Sequence, residues 1–148
     1  MQPLIGSIKR YDWGSVDAIP NLLGITNDGR PLAEYWLGAH PLGVALLDGS
    51  TPLDQAIAAD PTIIGDSARL EFGGRLPYLM KLLSAARPLS LQAHPNRTDA
   101  RVGFERENRA QLPLDAPDRT YRDPWDKPEL IIALSEFDAL AGFRDPKV

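Results

Sequence analysis

The chain has 148 residues, 43% hydrophobic and 24% charged, a length and balance suited to one soluble globular domain with a real core. Its formal net charge of −4 argues against general nucleic-acid binding, which needs a basic face. There is no cysteine, so no disulfide framework or thiolate metal site is expected. Nor is there an apolar run of membrane-spanning length or a signal-peptide core, which makes a cytoplasmic monomer with no membrane partner the expectation.

Fourteen prolines and twelve glycines favour short strands and turns over long helices. Leu4 to Lys9 reads as a strand leading into Y-D-W-G-S, and residues 20–31 read as a loop with an N-D-G turn signal at Asn27 to Gly29. Gly43 to Leu47 is a short apolar strand. Thr51 followed by Pro52 is a helix start, and that helix, Pro52 to Ala59, stops at Asp60-Pro61. Leu76 to Leu83 is an apolar run behind Gly73-Gly74, and Pro88 to His94 reads as a strand. The charged stretch Thr98 to Arg109 predicts a surface helix, Leu112 to Pro124 a polar loop, and E-L-I-I-A-L, Glu129 to Leu134, the clearest strand of the chain.

The chemistry concentrates in S-L-Q-A-H-P, Ser90 to Pro95, which holds one of only two histidines. In a strand, alternate residues share a face, so Ser90, Gln92 and His94 are expected to line a cleft while Leu91 and Ala93 pack inward. Gln92 and His94 would then lie within reach of one cation. Glu129, opening the most apolar strand, is a candidate third donor. On spacing alone, Q-A-H reads more readily as a structural polar pair bonded to backbone than as a metal site. Lys81 alone reads as a solvated lysine at the edge of an apolar strand, and Lys127 as one half of a surface ion pair with Glu129.

Five stretches in order go further. These are Y-D-W-G-S (Tyr11 to Ser15), A-E-Y-W-L-G-A-H-P (Ala33 to Pro41), the run Leu76 to Asn96, G-F-E-R-E-N (Gly103 to Asn108), and Y-R-D-P-W-D-K-P-E (Tyr121 to Glu129) with F-D-A-L-A-G-F-R behind it. Together they resemble the N-terminal portion of the type I phosphomannose isomerases. The resemblance implies a mainly β fold with helical additions, a cupin-like sandwich (jelly roll), incomplete in this length of chain. It implies one bound Zn2+ and interconversion of mannose 6-phosphate and fructose 6-phosphate, a step that feeds GDP-mannose synthesis. Carried over by position, the zinc ligands are Gln92, His94 and Glu129. Lys81 and Ser90 fall at positions associated with the substrate phosphate, Lys127 at an active-site lysine, and Glu34 at an acidic residue near the same cleft.

The chain departs from the family pattern twice. Trp125-Asp126 stands where the signature has Asn-His, which touches the loop's hydrogen bonding but not the ligand set. Family members are also far longer, and a fourth zinc ligand, a histidine, and an active-site arginine come from the part beyond. His40, the only other histidine, belongs to the N-terminal motif and reads as structural. The expectation is therefore an N-terminal fragment of the catalytic domain over residues 1–148, with little activity on its own. The alternatives are a non-catalytic cupin-type sugar-phosphate-binding module and a cupin-fold metal oxygenase. Such a fold hosts many functions, but an oxygenase would favour more histidines than this chain has.

Overall fold

The computed structural model describes residues 2–140 and 142, which form eight short strands, four α-helices and one 3-10 turn. The chain divides into two compact units, residues 1–90 and 91–148.

The first unit holds every strand found among the described residues. One three-stranded antiparallel sheet has β3 (Glu34–Leu37) at its centre, with β2 (Ser7–Lys9) on one side and β8 (Met80–Leu83) on the other. Its register sets Lys9 opposite Glu34, and Trp36 opposite Lys81. A second antiparallel sheet joins β1 (Leu4–Ile5), β6 (Leu46–Leu47) and β7 (Thr51–Pro52), and β4 (Ala39–His40) pairs with β5 (Gly43–Val44) as a hairpin. The expected strand over Leu4 to Lys9 is thus split between two sheets at Gly6. A Cβ there would lie 2.6 Å from the Tyr35 ring and 2.7 Å from the Trp36 carbonyl oxygen, so only glycine lets the chain cross so close to β3.

Helix α1 (Ala18–Leu23) occupies part of the stretch expected as loop, and ends on Gly24 in the left-handed region at φ 65°. Ile19 of α1 is buried with Leu32, Ala33, Trp36, Ala45 and Ile57, which form the unit's core. Ile57 belongs to α2 (Leu53–Ala59), which begins one residue later than the Thr-Pro signal indicates because Thr51 and Pro52 are taken up in pairing with Leu47 and Leu46. The helix does end at Asp60. The Asp60 side chain then accepts hydrogen bonds from the backbone and hydroxyl of Thr62 and starts the 3-10 turn Pro61–Ile64. Helix α3 (Asp66–Glu71) has no counterpart in the sequence reading.

In the second unit, α4 (Arg97–Arg109) matches the expected surface helix to within one residue. Asn96 caps it, its side-chain oxygen accepting the Asp99 N–H at 2.9 Å. The loop after α4 is fastened to it by a buried pair. Glu107 accepts hydrogen bonds from the N–H of Tyr121 (2.8 Å) and of Thr120 (3.3 Å). Arg119, 3.7 Å from Glu107, donates to the carbonyl of Tyr121, the side-chain oxygen of Asn108 and the carbonyl of Leu112.

Two expected strands are absent. Residues 88–94 and 129–134 run as irregular segments, and the second unit has no β-ladder among its described residues. The physical reason is that strand-like composition does not suffice: an extended segment needs a neighbour for its N–H and C=O groups. Leu130, Ile131, Ile132 and Leu134 consequently lie exposed. Leu91, expected to pack inward, is 96% exposed.

Candidate functional site

His94 lies in the irregular segment 88–96 that leads into α4, and Glu129 follows the turn-rich D-P-W-D-K-P loop. The two meet: His94 Nε2 is 3.1 Å from Glu129 Oε2. Two donors bound at about 2.0–2.1 Å to one tetrahedral zinc lie roughly 3.3 Å apart. The observed spacing therefore suits a shared ion, as it suits a direct hydrogen bond. Both side chains are partly open to solvent, which leaves room for an ion to reach them. Gln92, two residues before His94, is also exposed. Among the described residues no three His, Cys, Asp or Glu side chains gather to hold a metal. An ion on His94 and Glu129 would thus draw further donors of another type, such as the Gln92 amide oxygen, or from outside the described residues.

A cavity of about 540 Å³ opens beside this pair, within the size range of small-molecule sites. Its lining includes His94, Arg106, Tyr121, Arg122, Trp125 and Lys127. Lys127 does not pair with Glu129. Its ammonium donates to both carboxylate oxygens of Asp123, at 2.7 and 2.8 Å, and to the Trp125 carbonyl at 3.4 Å. Asp123 also accepts the Trp125 N–H at 3.0 Å, so one carboxylate both shapes the turn and holds the lysine. Sequence reading missed Asp123. The signal available was an acid four residues before a base, a spacing that on a helix would be routine and here is met across a turn.

In the first unit, Lys81 and Glu34 sit on neighbouring strands, with Lys81 Nζ 3.8 Å from Glu34 Oε1. Glu34 is buried, and its other oxygen accepts the Trp36 indole N–H at 2.8 Å. The ammonium groups of Lys9 and Lys81 lie 4.5 and 4.8 Å from the Trp36 ring centroid, and the His40 ring meets the same indole edge-on. His40 thus has the structural role read from the sequence. Its Nδ1 accepts the Leu42 N–H across the β4–β5 turn. Ser90, the last residue of this unit, is exposed.

The chain matches the model of the phosphomannose isomerase type I catalytic domain over residues 1–146. It is 44% identical over 151 residues to the mannose-6-phosphate isomerase of Salmonella typhimurium, covering 98% of this chain and 38% of that protein. It is 37% identical over 155 residues to the human mannose-6-phosphate isomerase, covering 96% of this chain and 34% of that one. Among solved structures it resembles the Salmonella typhimurium enzyme bound to its substrate, fructose 6-phosphate, and zinc, with a TM-score of 0.77 and 43% identity over 86% of this chain and 33% of the other. A zinc-bound mannose 6-phosphate isomerase gives a TM-score of 0.76 at 42% identity, over 84% of this chain and 33% of that one. The mainly β fold with helical additions, cupin-like, is the fold of these structures. The chain spans just over a third of the length of the curated relatives it matches. No described helix is long and apolar enough to cross a membrane.

Proposed function

Since the chain belongs to the type I phosphomannose isomerase family, we propose that it forms the N-terminal portion of the catalytic unit of an enzyme interconverting mannose 6-phosphate and fructose 6-phosphate. The observation that supports this reading best is the meeting of His94 and Glu129 at 3.1 Å, from segments 35 residues apart in sequence.

In this reading His94, Glu129 and Gln92 hold the zinc. When bound, the ion supplies Lewis-acid stabilisation of negative charge developing on a substrate oxygen, an effect of several kcal/mol. The chain's own residues do the rest. Neutral imidazole and a single carboxylate leave net positive charge at the site, which attracts an anionic sugar to an acidic protein. Lys127, held by Asp123 at the wall of the cavity containing His94, is the residue proposed to meet a sugar oxygen and exchange a proton there. By the family resemblance, Lys81 and Ser90 are the positions associated with the phosphate, to which they would offer a charge and a hydroxyl. Glu34 holds Lys81 in place from the neighbouring strand. The remaining positive charge and metal donor come from beyond these residues. The cytoplasm is the proposed compartment, and the monomer the proposed state.

The test uses the intact protein carrying this chain. Its isomerase activity toward mannose 6-phosphate is expected to vanish on chelation and return with Zn2+. His94→Ala is expected to lower bound zinc and activity together. Full activity of the metal-free protein would overturn the reading.

A further inference from the structure

The His94–Glu129 contact does not stand alone. Arg97 Nε lies 3.6 Å from Asp126 Oδ1. Arg97 is three residues after His94 along one segment, and Asp126 is three residues before Glu129 along the other. The two pairs therefore share one antiparallel register, without any backbone ladder to impose it. These two side-chain contacts hold the segments in step.

Arg97 is also an odd residue for its position. It is the first residue of α4, where the helix dipole disfavours a cation. The helix has its own start signals in Asn96 and Asp99, so the arginine is not needed to begin it. Asp126 resolves the conflict, because its carboxylate brings a negative charge to the same helix end. Lys127, the next residue, is taken by Asp123 and does not compete for Asp126.

We infer that Arg97 and Asp126 are a positioning pair that sets the Glu129 carboxylate against His94 and so prepares the two donors for one divalent cation. The inference rests on the reading of His94 and Glu129 as metal donors. Neither Arg97 nor Asp126 is among the proposed donors. Each acts through the segment it anchors, as outer partners of ligating side chains do. Both are partly exposed, with side-chain exposures of 62% and 36%, so replacing them does not open the core.

The experiment measures Zn2+ affinity of the intact protein, without substrate, by competition with a chromophoric chelator. Arg97→Gln and Asp126→Asn are each expected to weaken Zn2+ binding about three- to tenfold, a range between an exposed ion pair and an outer-shell ligand partner. The double variant is expected to lose no more than either single one, because the second change removes a charge whose partner is already gone. The reversed pair, R97D with D126R, is expected to regain part of the loss. Circular dichroism should remain that of the parent throughout. Unchanged affinity in both single variants, or losses that simply add, would overturn the proposal. His94→Ala separates this failure from failure of the underlying reading. If it abolishes Zn2+ binding while the Arg97 and Asp126 variants bind normally, the metal site stands and the positioning pair falls. If His94→Ala binds Zn2+ as the parent does, both fall.

Discussion

The carboxylate of Glu34 accepts the indole N–H of Trp36, two residues along the same strand, at 2.8 Å in a buried setting. The contact places a negative charge at the edge of a ring whose face is approached by the ammonium groups of Lys9 and Lys81. Each ammonium finds an acceptor: Lys81 pairs with Glu34, and Lys9 donates to the Leu42 carbonyl. Glu34→Leu would strand the indole N–H without an acceptor. An unsatisfied buried donor costs about 1–3 kcal/mol, so the urea unfolding midpoint should fall accordingly. Glu34→Gln keeps an acceptor and should cost less. A Leu variant as stable as the parent would show that water satisfies the indole.

The same carboxylate reaches Tyr11. Burial raises the Tyr11 phenol above its ordinary 10.0, and the Glu34 charge adds to the rise. A raised phenol pKa means the fold favours the neutral form. Its contribution to stability is thus complete below pH 10 and is lost as pH rises through the folded value. In Glu34→Gln, phenolate absorbance should show Tyr11 ionising at lower pH than in the parent, yet still above 10.0, since burial is the larger cause. A Tyr11 titration that does not move would remove Glu34 from the account.

How much of this was legible in the sequence divides along the line between local and non-local causes. Helix α4 was readable because its signal is local: a charged, polar stretch running to Arg109. The stop of α2 at Asp60-Pro61 was readable for the same reason. Segments 88–94 and 129–134 were misread as strands because composition reports β-propensity and not the presence of a partner strand. His94 and Glu129 nonetheless meet at 3.1 Å, although the strand geometry on which the expectation from Q-A-H and K-P-E rested is absent from both segments. Asp123, Arg97 and Asp126 were missed, each being an ordinary charged residue until its partner is seen.

The misread strand has a direct consequence. Leu91 was expected inside, where truncation to alanine costs roughly 2–5 kcal/mol. At 96% exposure it has nothing to lose. Leu91→Ala in this 148-residue chain is therefore expected to change stability by no more than about 0.5 kcal/mol, as for other surface substitutions. Chemical denaturation checks it, and a loss above about 2 kcal/mol would mean that Leu91 is covered in solution.

Gly103 sits in α4 beneath the ring of Tyr121, where an added Cβ would lie 2.5 Å from ring carbons. Helix propensity alone favours alanine there by about 1 kcal/mol. The clash should win, because Tyr121 is tied at its backbone to Glu107 and Arg119 and has no free retreat. Gly103→Ala is expected to destabilise by about 1–3 kcal/mol, the range for overpacking. Adding Tyr121→Ala should restore part of that loss by removing the obstructing ring. Stabilisation by Gly103→Ala alone would mean that the ring swings aside freely.

Asp28 gives a prediction at acid pH. Its carboxylate is shared by two guanidinium groups, Arg30 at 2.7 Å and Arg10 at 2.9 Å. The hydrogen bonds from the Arg30 side chain and backbone, with the charges of Arg10 and Arg30, hold its pKa below the ordinary 3.8. The sign follows from the lowered folded value: the unfolded chain takes up the proton first as pH falls. The stabilisation is therefore complete above pH 3.8 and is lost as pH falls through the folded pKa. Asp28 is open to solvent, so salt should screen the charge part of the effect, while the Arg30 hydrogen bonds persist. Comparing parent with Asp28→Asn, the gap in thermal midpoint should be widest near neutral pH, narrow below pH 3.8 and shrink at high ionic strength. Arg10 also donates to the carbonyls of Arg30 and Pro31, so the loop should keep part of its order in the Asn variant. A midpoint gap that stays constant from neutral pH to pH 2 would show that the Asp28 charge contributes nothing to the fold.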